Sequence, residues 1–159
     1  MQQRLLNIYL NDHFAGASAG VELARRCRSN NTGTPLGDFL TGFIAEIESD
    51  RAALETLMSA LDARQDRLKL TAAWVAEKAG RLKLNGQITG YSPLSRLIEL
   101  EGLKVGIEAK RSLWLALKEI EDIDSRLATT DLDLLIKRAE EQLESLEPHR
   151  LEAARIALA

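Results

Sequence analysis

Four long amphipathic stretches, joined in the order short, long, short, constrain the fold of this 159-residue chain more than any other feature. Each stretch is long enough for a helix of about 25 residues, because apolar side chains recur at three- and four-residue steps. The short connections lie around residues 31–35 and 122–130, and the long one covers residues 62–92. This order of connections predicts an all-α fold, a four-helix bundle with one long crossover.

The composition agrees with a single helical domain over residues 1–159. Hydrophobic residues make up 45% and charged residues 28% of the chain, a balance typical of a globular protein rather than a disordered one. Leu, Ala, Glu, Arg and Lys dominate, and these are good helix formers. The alternation of apolar and polar residues that predicts strands is missing from the sequence.

Charge and cysteine content limit the partners and the compartment that we expect. The net charge of −3 gives no general attraction to nucleic acid or to an anionic membrane surface. Cys27 is the single cysteine, so an internal disulfide is excluded and a reducing compartment is indicated. No apolar run approaches the roughly 18 residues that span a bilayer, and the polar start of the sequence is unlike a signal peptide. We therefore expect a cytoplasmic protein with neither a membrane nor nucleic acid as its partner.

Two of the predicted helices begin with the same pair of residue types. Thr34 is expected to cap the second helix with Pro35 at its first position, and Ser92 and Pro93 repeat the pattern in the third. A Ser or Thr oxygen accepts a hydrogen bond from the first turn, and Pro lacks an N–H group that would have no partner there.

The other boundaries are predicted from loop residues and proline. The first helix is expected over residues 2–27, the third is expected to reach Asp122, and the fourth to begin near Thr130. Pro148 should end or kink the fourth helix, or begin a short terminal segment.

The long crossover is expected to contain a short helix over residues 71–82, anchored by Trp74. Its six basic residues exceed its three acidic ones. This excess fits either a solvated connector or a nucleic-acid contact. We favour the connector, because no nucleic-acid-binding motif accompanies the charges.

Apolar side chains predict which face of each helix is buried. The third helix is apolar on two sides, which indicates burial by several neighbours. Gly16 and Gly20 lie one turn apart beside the stripe of the first helix, a spacing that predicts close approach of another backbone. The expected core is Leu6, Leu10, Ala17, Val21 and Ala24 in the first helix, Leu36, Leu40, Phe43, Ile47, Leu54, Met58 and Leu61 in the second, Leu94, Leu97, Ile98, Val105, Leu115 and Ala116 with Leu100, Leu103, Ile107 and Trp114 in the third, and Leu132, Leu135, Ile136, Ala139, Leu143 and Leu146 in the fourth.

Two polar residues interrupt the stripes of the first two helices, where an unpaired buried charge would be strongly unfavourable. His13 lies between Leu10 and Ala17. It is either a hydrogen-bonded histidine of the core or a functional residue, namely a metal ligand or a proton carrier. Asp50 interrupts the second stripe, either in an ion pair with the adjacent Arg51 or as a metal ligand.

Two carboxylates lie two turns apart in the third helix, Glu101 and Glu108, within the stripe that contains Val105 and Leu115. Paired buried carboxylates hold a cation or have raised pKa values. Lys104 and Arg111 follow them by three residues, which offers intrahelical ion pairs on a partly exposed edge as the alternative.

The helix lengths, the long crossover and the inward carboxylates resemble the ferritin-like superfamily, in particular its small bacterial members, over nearly the whole chain. Members that bind two iron or manganese ions use one Glu from each of two helices and Glu-x-x-His from each of the other two. In this sequence the residues three before the two histidines are Leu10 and Leu146, so that motif is missing. The resemblance therefore implies an altered metal site, if any, built from His13, Asp50, Glu101 and Glu108.

Three functions are left open by the sequence. The leading interpretation is a non-catalytic or degenerate ferritin-like bundle that works as a structural or interaction module and forms a homo-oligomer, such as a dimer. The second is a metalloprotein whose atypical carboxylate and histidine site holds iron or manganese for redox or oxygen chemistry. The third is a small-ligand pocket between helices, opened by Gly16 and Gly20.

Overall fold

The computed structural model describes residues 2–65 and 90–159, and every regular element in these two ranges is helical. The long helices there are α1 (Gln3–Asn30), α2 (Pro35–Ala60), α3 (Pro93–Lys118) and α4 (Leu132–Leu158), with a short 3-10 helix (Ser125–Thr129) between α3 and α4. The predicted all-α arrangement of four long helices is confirmed. The short helix expected over residues 71–82 and most of the basic excess of the crossover lie outside the described residues.

The starts of α2 and α3 are formed by the residues that the sequence indicated. Thr34 Oγ1 accepts a hydrogen bond from the N–H of Gly37 at 3.2 Å, and Ser92 Oγ accepts one from the N–H of Ser95 at 3.1 Å. Each helix then has proline in its first turn. Both predicted caps are therefore confirmed.

Two helix ends differ from the sequence-based boundaries. Helix α1 continues beyond Cys27 to Asn30, because the side-chain amide of Asn31 donates to the Cys27 carbonyl at 2.7 Å and satisfies one of the last free acceptors. Helix α3 ends at Lys118 instead of Asp122. The chain then turns, and Asp124 accepts the N–H of Arg126 to start the 3-10 helix.

Pro148 neither ends the fourth helix nor begins a separate terminal segment, so these two of its three predicted effects are wrong. Helix α4 runs through it as one element to Leu158. Proline removes the N–H that would bond the carbonyl of Glu144, but Glu144 and Pro148 are both exposed, so water can reach this turn.

The helices pack in a defined order of neighbours. Helix α1 lies against α2 and α3, and α3 lies against α4, while α2 and α4 have only a small direct contact. Interhelical ion pairs line the α3–α4 contact, including Lys104 with Glu147 and Arg111 with Glu140. None of the described helices has the length and apolarity needed to cross a membrane.

Two separate apolar cores fill the bundle. One surrounds Trp114 and includes Leu54, Leu57 and Leu113 (the Trp114 core), and the other surrounds Phe43 and includes Leu103 (the Phe43 core). Of the two apolar sides of α3, the one with Leu100, Leu103, Ile107 and Trp114 is buried, whereas Val105 and Leu115 on the other side are 60% and 39% exposed. The two cores meet around Asp50 of α2, the buried residue that the sequence singled out as a candidate for function.

Replacing Pro148 by alanine should stabilise the protein. Alanine restores the missing N–H in a helix that is already continuous, so the free energy of unfolding should rise by about 1–3 kcal/mol in urea denaturation. Glu144→Ala, an exposed change one turn earlier, is the control and should stay within about 0.5 kcal/mol of the unaltered chain. A loss of stability in Pro148→Ala would contradict this account of the helix.

Candidate functional site

The two glutamates predicted to face the interior lie on the surface instead. Glu101 is 51% exposed and its nearest cation is Arg150 of α4, with 3.7 Å between Oε1 and Nη1. Glu108 is exposed as well. The prediction that these carboxylates share a buried side is wrong, because their stripe is buried at Leu97 but turns to solvent from Glu101 onward, where Val105 is 60% exposed. Their proposed intrahelical partners, Lys104 and Arg111, pair with α4 instead.

His13 is half-buried in α1 and packs edge-on against the ring of Tyr9, with 4.6 Å between the ring centroids. Burial lowers the pKa of His13, and the nearby carboxylate of Asp12 partly opposes that shift. Burial therefore favours the neutral imidazole.

Asp50 is the buried charge that the sequence singled out, and the structure gives it three partners. Its side chain is 1% exposed. Oδ1 accepts from Arg138 Nη1 at 2.7 Å, and Oδ2 accepts from Lys110 Nζ at 2.5 Å and from Gln142 Nε2 at 3.0 Å. Of the two alternatives, ion pairing is the one observed, but across helices to α3 and α4 and not with the adjacent Arg51.

These residues form one cluster, Asp50, Lys110, Arg138 and Gln142, which we call the central polar cluster. Lys110 also donates to the Oε1 atom of Gln142. Burial lowers the pKa of Lys110, while the charge of Asp50 opposes the shift. Along α2 and α3 the cluster lies between residues of the Phe43 core and residues of the Trp114 core, so it separates the two cores.

The four residues predicted as metal ligands do not converge. Among residues 2–65 and 90–159, no three His, Cys, Asp or Glu side chains are grouped as a metal site requires. His13 and Asp50 line one groove, whereas Glu101 and Glu108 lie on the surface. The carboxylate–imidazole set inferred from the resemblance is thus not assembled within this part of the chain.

A groove of about 240 Å³ opens beside the central polar cluster, between α1, α2 and α3. Its surface is mostly apolar. Helix α1 contributes His13, Gly16, Ala17 and Gly20, helix α2 contributes Phe43, Ile47, Asp50, Arg51 and Leu54, and helix α3 contributes Leu103, Gly106, Ile107, Lys110, Leu113 and Trp114 among others. The groove is therefore mostly apolar, and its lining also includes the charged residues Asp12, Asp50, Arg51 and Lys110.

Glycine keeps this groove open. A Cβ atom placed on Gly16, Gly20 or Gly106 would have no atom of the described residues within 4 Å, its own helix backbone aside. The predicted close approach of another backbone at Gly16 and Gly20 is therefore wrong, and these positions face open space. Gly102, by contrast, is packed tightly, because a Cβ atom there would lie 3.0 Å from Cδ2 of Leu23.

Trp114 lines the groove, but its indole N–H is a buried donor without an acceptor among residues 2–65 and 90–159. The indole Nε1 of Trp114 is inaccessible to solvent and makes no hydrogen bond within the described residues. Such a donor destabilises the folded state by about 1–3 kcal/mol relative to a satisfied one. Trp114 lies one helical turn after Lys110, so both side chains lie on the same side of α3.

Sequence reasoning missed Lys110, Arg138 and Trp114 as site residues. The signal was present for Lys110, which follows Ile107 by three residues and precedes Trp114 by four on an apolar stripe. A buried Asp50 needs a cation, and a lysine in such a position is a candidate partner. Arg138 carried no comparable signal, because the contact depends on how α4 packs against α3 and approaches α2.

A second buried polar group lies near the end of α1 and does not reach the groove. Glu99, 4% exposed, accepts from Tyr91 Oη and from Arg26 Nε, both at 2.9 Å, and Asn31 donates to Tyr91 Oη at 2.9 Å. Burial raises the pKa of the Cys27 thiol to about 12, and the charge of Glu99 adds to that shift. Cys27 is therefore a protonated, buried thiol.

No family model, no curated protein and no solved structure matches this chain.

Replacing Asp50 by asparagine should strongly destabilise the protein. The substitution leaves Lys110 and Arg138 without their carboxylate, and breaking a buried ion pair on one side costs about 3–5 kcal/mol. Urea denaturation of Asp50→Asn measures the loss. Glu108→Gln removes the same charge from an exposed position and should change stability by less than about 0.5 kcal/mol. Equal effects of the two substitutions would contradict the role assigned to Asp50.

Gly16→Ala should stabilise the chain. The added methyl group meets open space, and alanine is favoured over glycine in a helix by roughly 0.5–1 kcal/mol. Gly42→Ala, on the exposed surface of α2, should gain a similar amount in the same denaturation experiment. Gly102→Ala should gain less or lose stability, because its Cβ would press on Leu23. If Gly16→Ala destabilises the protein, the position is packed and the groove is not open there.

Proposed function

We propose that this protein is a non-catalytic helical-bundle module that binds a small, largely apolar ligand in the groove between α1, α2 and α3. The observation that carries the proposal is the groove itself. It lies in the middle of the bundle, beside a buried charge cluster, and three glycines line it where side chains would otherwise fill the space.

The size of the groove supports a small ligand. An engineered protein cavity of about 150 Å³ holds benzene, and typical pockets for drug-sized molecules measure about 300–1,000 Å³. A volume of about 240 Å³ lies between these. The groove therefore suits a molecule somewhat larger than benzene, such as a bicyclic ring or a medium-length alkyl chain.

Gly16 and Gly20 make helix α1 less stable than alanine would, and this loss supports a function for the open space beside them. Glycine inside a helix is less favourable than alanine by roughly 0.5–1 kcal/mol, and at Gly16 and Gly20 no tight contact requires it. Local loss of stability that keeps a cavity open is typical of binding sites. The same positions filled by alanine or leucine would give a more stable bundle without a groove.

The charged residues at the groove favour binding over chemistry. Asp50 accepts three hydrogen bonds and pairs with two cations, so its oxygens are not free to take a proton from a substrate. A metal cation placed here would meet Lys110 and Arg138, which would repel it. Of the functions that the sequence left open, the metalloprotein thus receives the least support from the described residues.

We further propose that the bundle is of the ferritin-like type and that its catalytic metal ligands have been replaced. The order of neighbours, α1 against α2 and α3 and α3 against α4, supports this proposal. So does the long connection between α2 and α3. Proteins of this class build their sites in the bundle interior from facing helices. Self-association as a homodimer stays a prediction, and exposed apolar side chains near the end of α4, such as Leu151 and Leu158, support it.

Blocking the groove tests the binding function. Isothermal titration calorimetry should show saturable one-site binding of an eight-carbon amphiphile, 1-octanol or octanoate, to the unaltered chain. Gly16→Leu should weaken the binding of both probes at least about tenfold, because its side chain occupies the volume that the alkyl chain would fill.

Gly42→Leu is the matched control, since it adds the same side chain to an exposed position of α2 that does not line the groove. It should bind both probes like the unaltered chain. If neither probe binds to the unaltered chain, or if Gly16→Leu binds them unchanged, the proposed function is wrong.

A further inference from the structure

The groove is long compared with its width. Its lining covers residues 12–20 of α1, 43–54 of α2 and 103–114 of α3. Because a helix rises by about 1.5 Å per residue, these ranges measure about 12, 17 and 17 Å. A volume of about 240 Å³ spread over such a length gives a mean cross-section of about 15–20 Å². The groove is therefore roughly three to four times longer than it is wide.

The three lining helices run along one axis, so these lengths describe the same direction. Helices α1 and α3 run in opposite directions, because Arg26 meets Glu99 and, three residues earlier on α1, Leu23 meets Gly102. Helices α2 and α3 both run opposite to α4, as four contacts show: Asp50–Arg138, Phe39–His149, Lys104–Glu147 and Arg111–Glu140. The long dimension of the groove is thus the axis of the bundle.

Small side chains keep the groove open along this axis. On the α1 wall Gly16, Ala17 and Gly20 extend over more than one helical turn, and on the α3 wall Gly106 and Ala109 do nearly the same. A Cβ atom at any of the three glycines would have no atom of the described residues within 4 Å, its own helix backbone aside. The free space therefore extends along the helices instead of widening at one point.

The charges on the lining do not select a charged ligand. Within the described residues they balance, two acidic against two basic: Asp12 and Asp50, Arg51 and Lys110. Asp50 and Lys110 pair with each other, and the indole N–H of Trp114 is inaccessible to solvent. Asp12 and Arg51 keep contact with water, where an ion pair contributes little. A charged group inside the groove would therefore lose its hydration without a compensating partner, which is unfavourable.

We infer that the ligand of the groove is an uncharged molecule with one unbranched hydrocarbon chain, which lies along the bundle axis beside Gly16 and Gly20. This inference rests on the proposed function and chooses between the two shapes that the volume allows, a compact ring system and a chain. Carbon–carbon bonds of about 1.5 Å advance an extended chain by about 1.3 Å per carbon, so the groove accommodates about nine to thirteen carbons.

A comparison of a chain with a ring tests the shape. 1-Octanol and cyclooctanol both have eight carbons and one hydroxyl group, but only the first can extend along a narrow groove. Titration calorimetry on the unaltered chain gives the two Kd values, and each is corrected for the transfer of that alcohol from water to octane. After this correction, cyclooctanol should bind at least about tenfold more weakly than 1-octanol.

Shortening the groove tests the direction in which the chain lies. Gly20 is the last lining residue of α1, so Gly20→Leu should block one end and leave the remainder open. It should weaken the binding of 1-decanol at least about tenfold and leave the Kd of 1-pentanol within about twofold, because only the longer chain needs the blocked end. Gly42→Leu, on the exposed surface of α2, is the control and should change neither Kd.

Charged probes test the third part of the inference. Octanoate and octylammonium at neutral pH should each bind about tenfold or more weakly than 1-octanol, because neither head group gains an unpaired partner in the groove. Tighter binding of either ion than of 1-octanol would overturn the inference that the ligand is uncharged.

The remaining outcomes separate this inference from the proposed function. Equal corrected affinities for cyclooctanol and 1-octanol, or equal weakening of 1-pentanol and 1-decanol by Gly20→Leu, would overturn the chain-shaped ligand while the groove stays a binding site. If Gly20→Leu fails to fold, as judged by circular dichroism, the comparison of ring and chain in the unaltered protein decides the shape. Absence of binding by every probe would show that the binding function itself is wrong.

Discussion

The buried carboxylate of Asp50 is the interaction on which the arrangement of the helices depends most. An aspartate that is 1% exposed is tolerated only if cations and donors surround it, and here they come from two other helices. Lys110 of α3 and Arg138 and Gln142 of α4 meet at its two oxygens. Helices α2 and α4 have little other direct contact, so these bonds fix their positions relative to each other.

This polar cluster also explains why the bundle has two apolar cores and a groove. Apolar side chains cannot pack continuously past a group of hydrogen-bonded charges, so the Phe43 core and the Trp114 core meet it from opposite ends. Beside the cluster, Gly16, Gly20 and Gly106 leave space that no side chain of residues 2–65 or 90–159 fills. A buried cluster of charges thus adjoins a mostly apolar groove, and the proposed binding function follows from that adjacency.

Sequence reasoning predicted much of the fold but only part of the site. Thr34 and Ser92 were predicted as caps because their hydrogen bonds are local and involve residues within the first turn. Asp50 was recognised because a charge interrupts an otherwise apolar stripe. Glu101 and Glu108 were misplaced, since α3 has two apolar sides and the sequence does not show which one its neighbours cover. Val105 and Leu115 lie on the side of α3 that the neighbouring helices leave exposed.

The sequence by itself determined the number of long helices, two of their starts and the presence of one buried acid, because each depends on short-range spacing and on the energetics of single residues. The tertiary structure alone decided which side of α3 is buried, which cations neutralise Asp50, and that Gly16 and Gly20 face open space. Those features depend on how helices distant in sequence approach one another. The pairing of Asp50 with Arg138 joins residues 88 positions apart, and no local pattern in the chain specifies it.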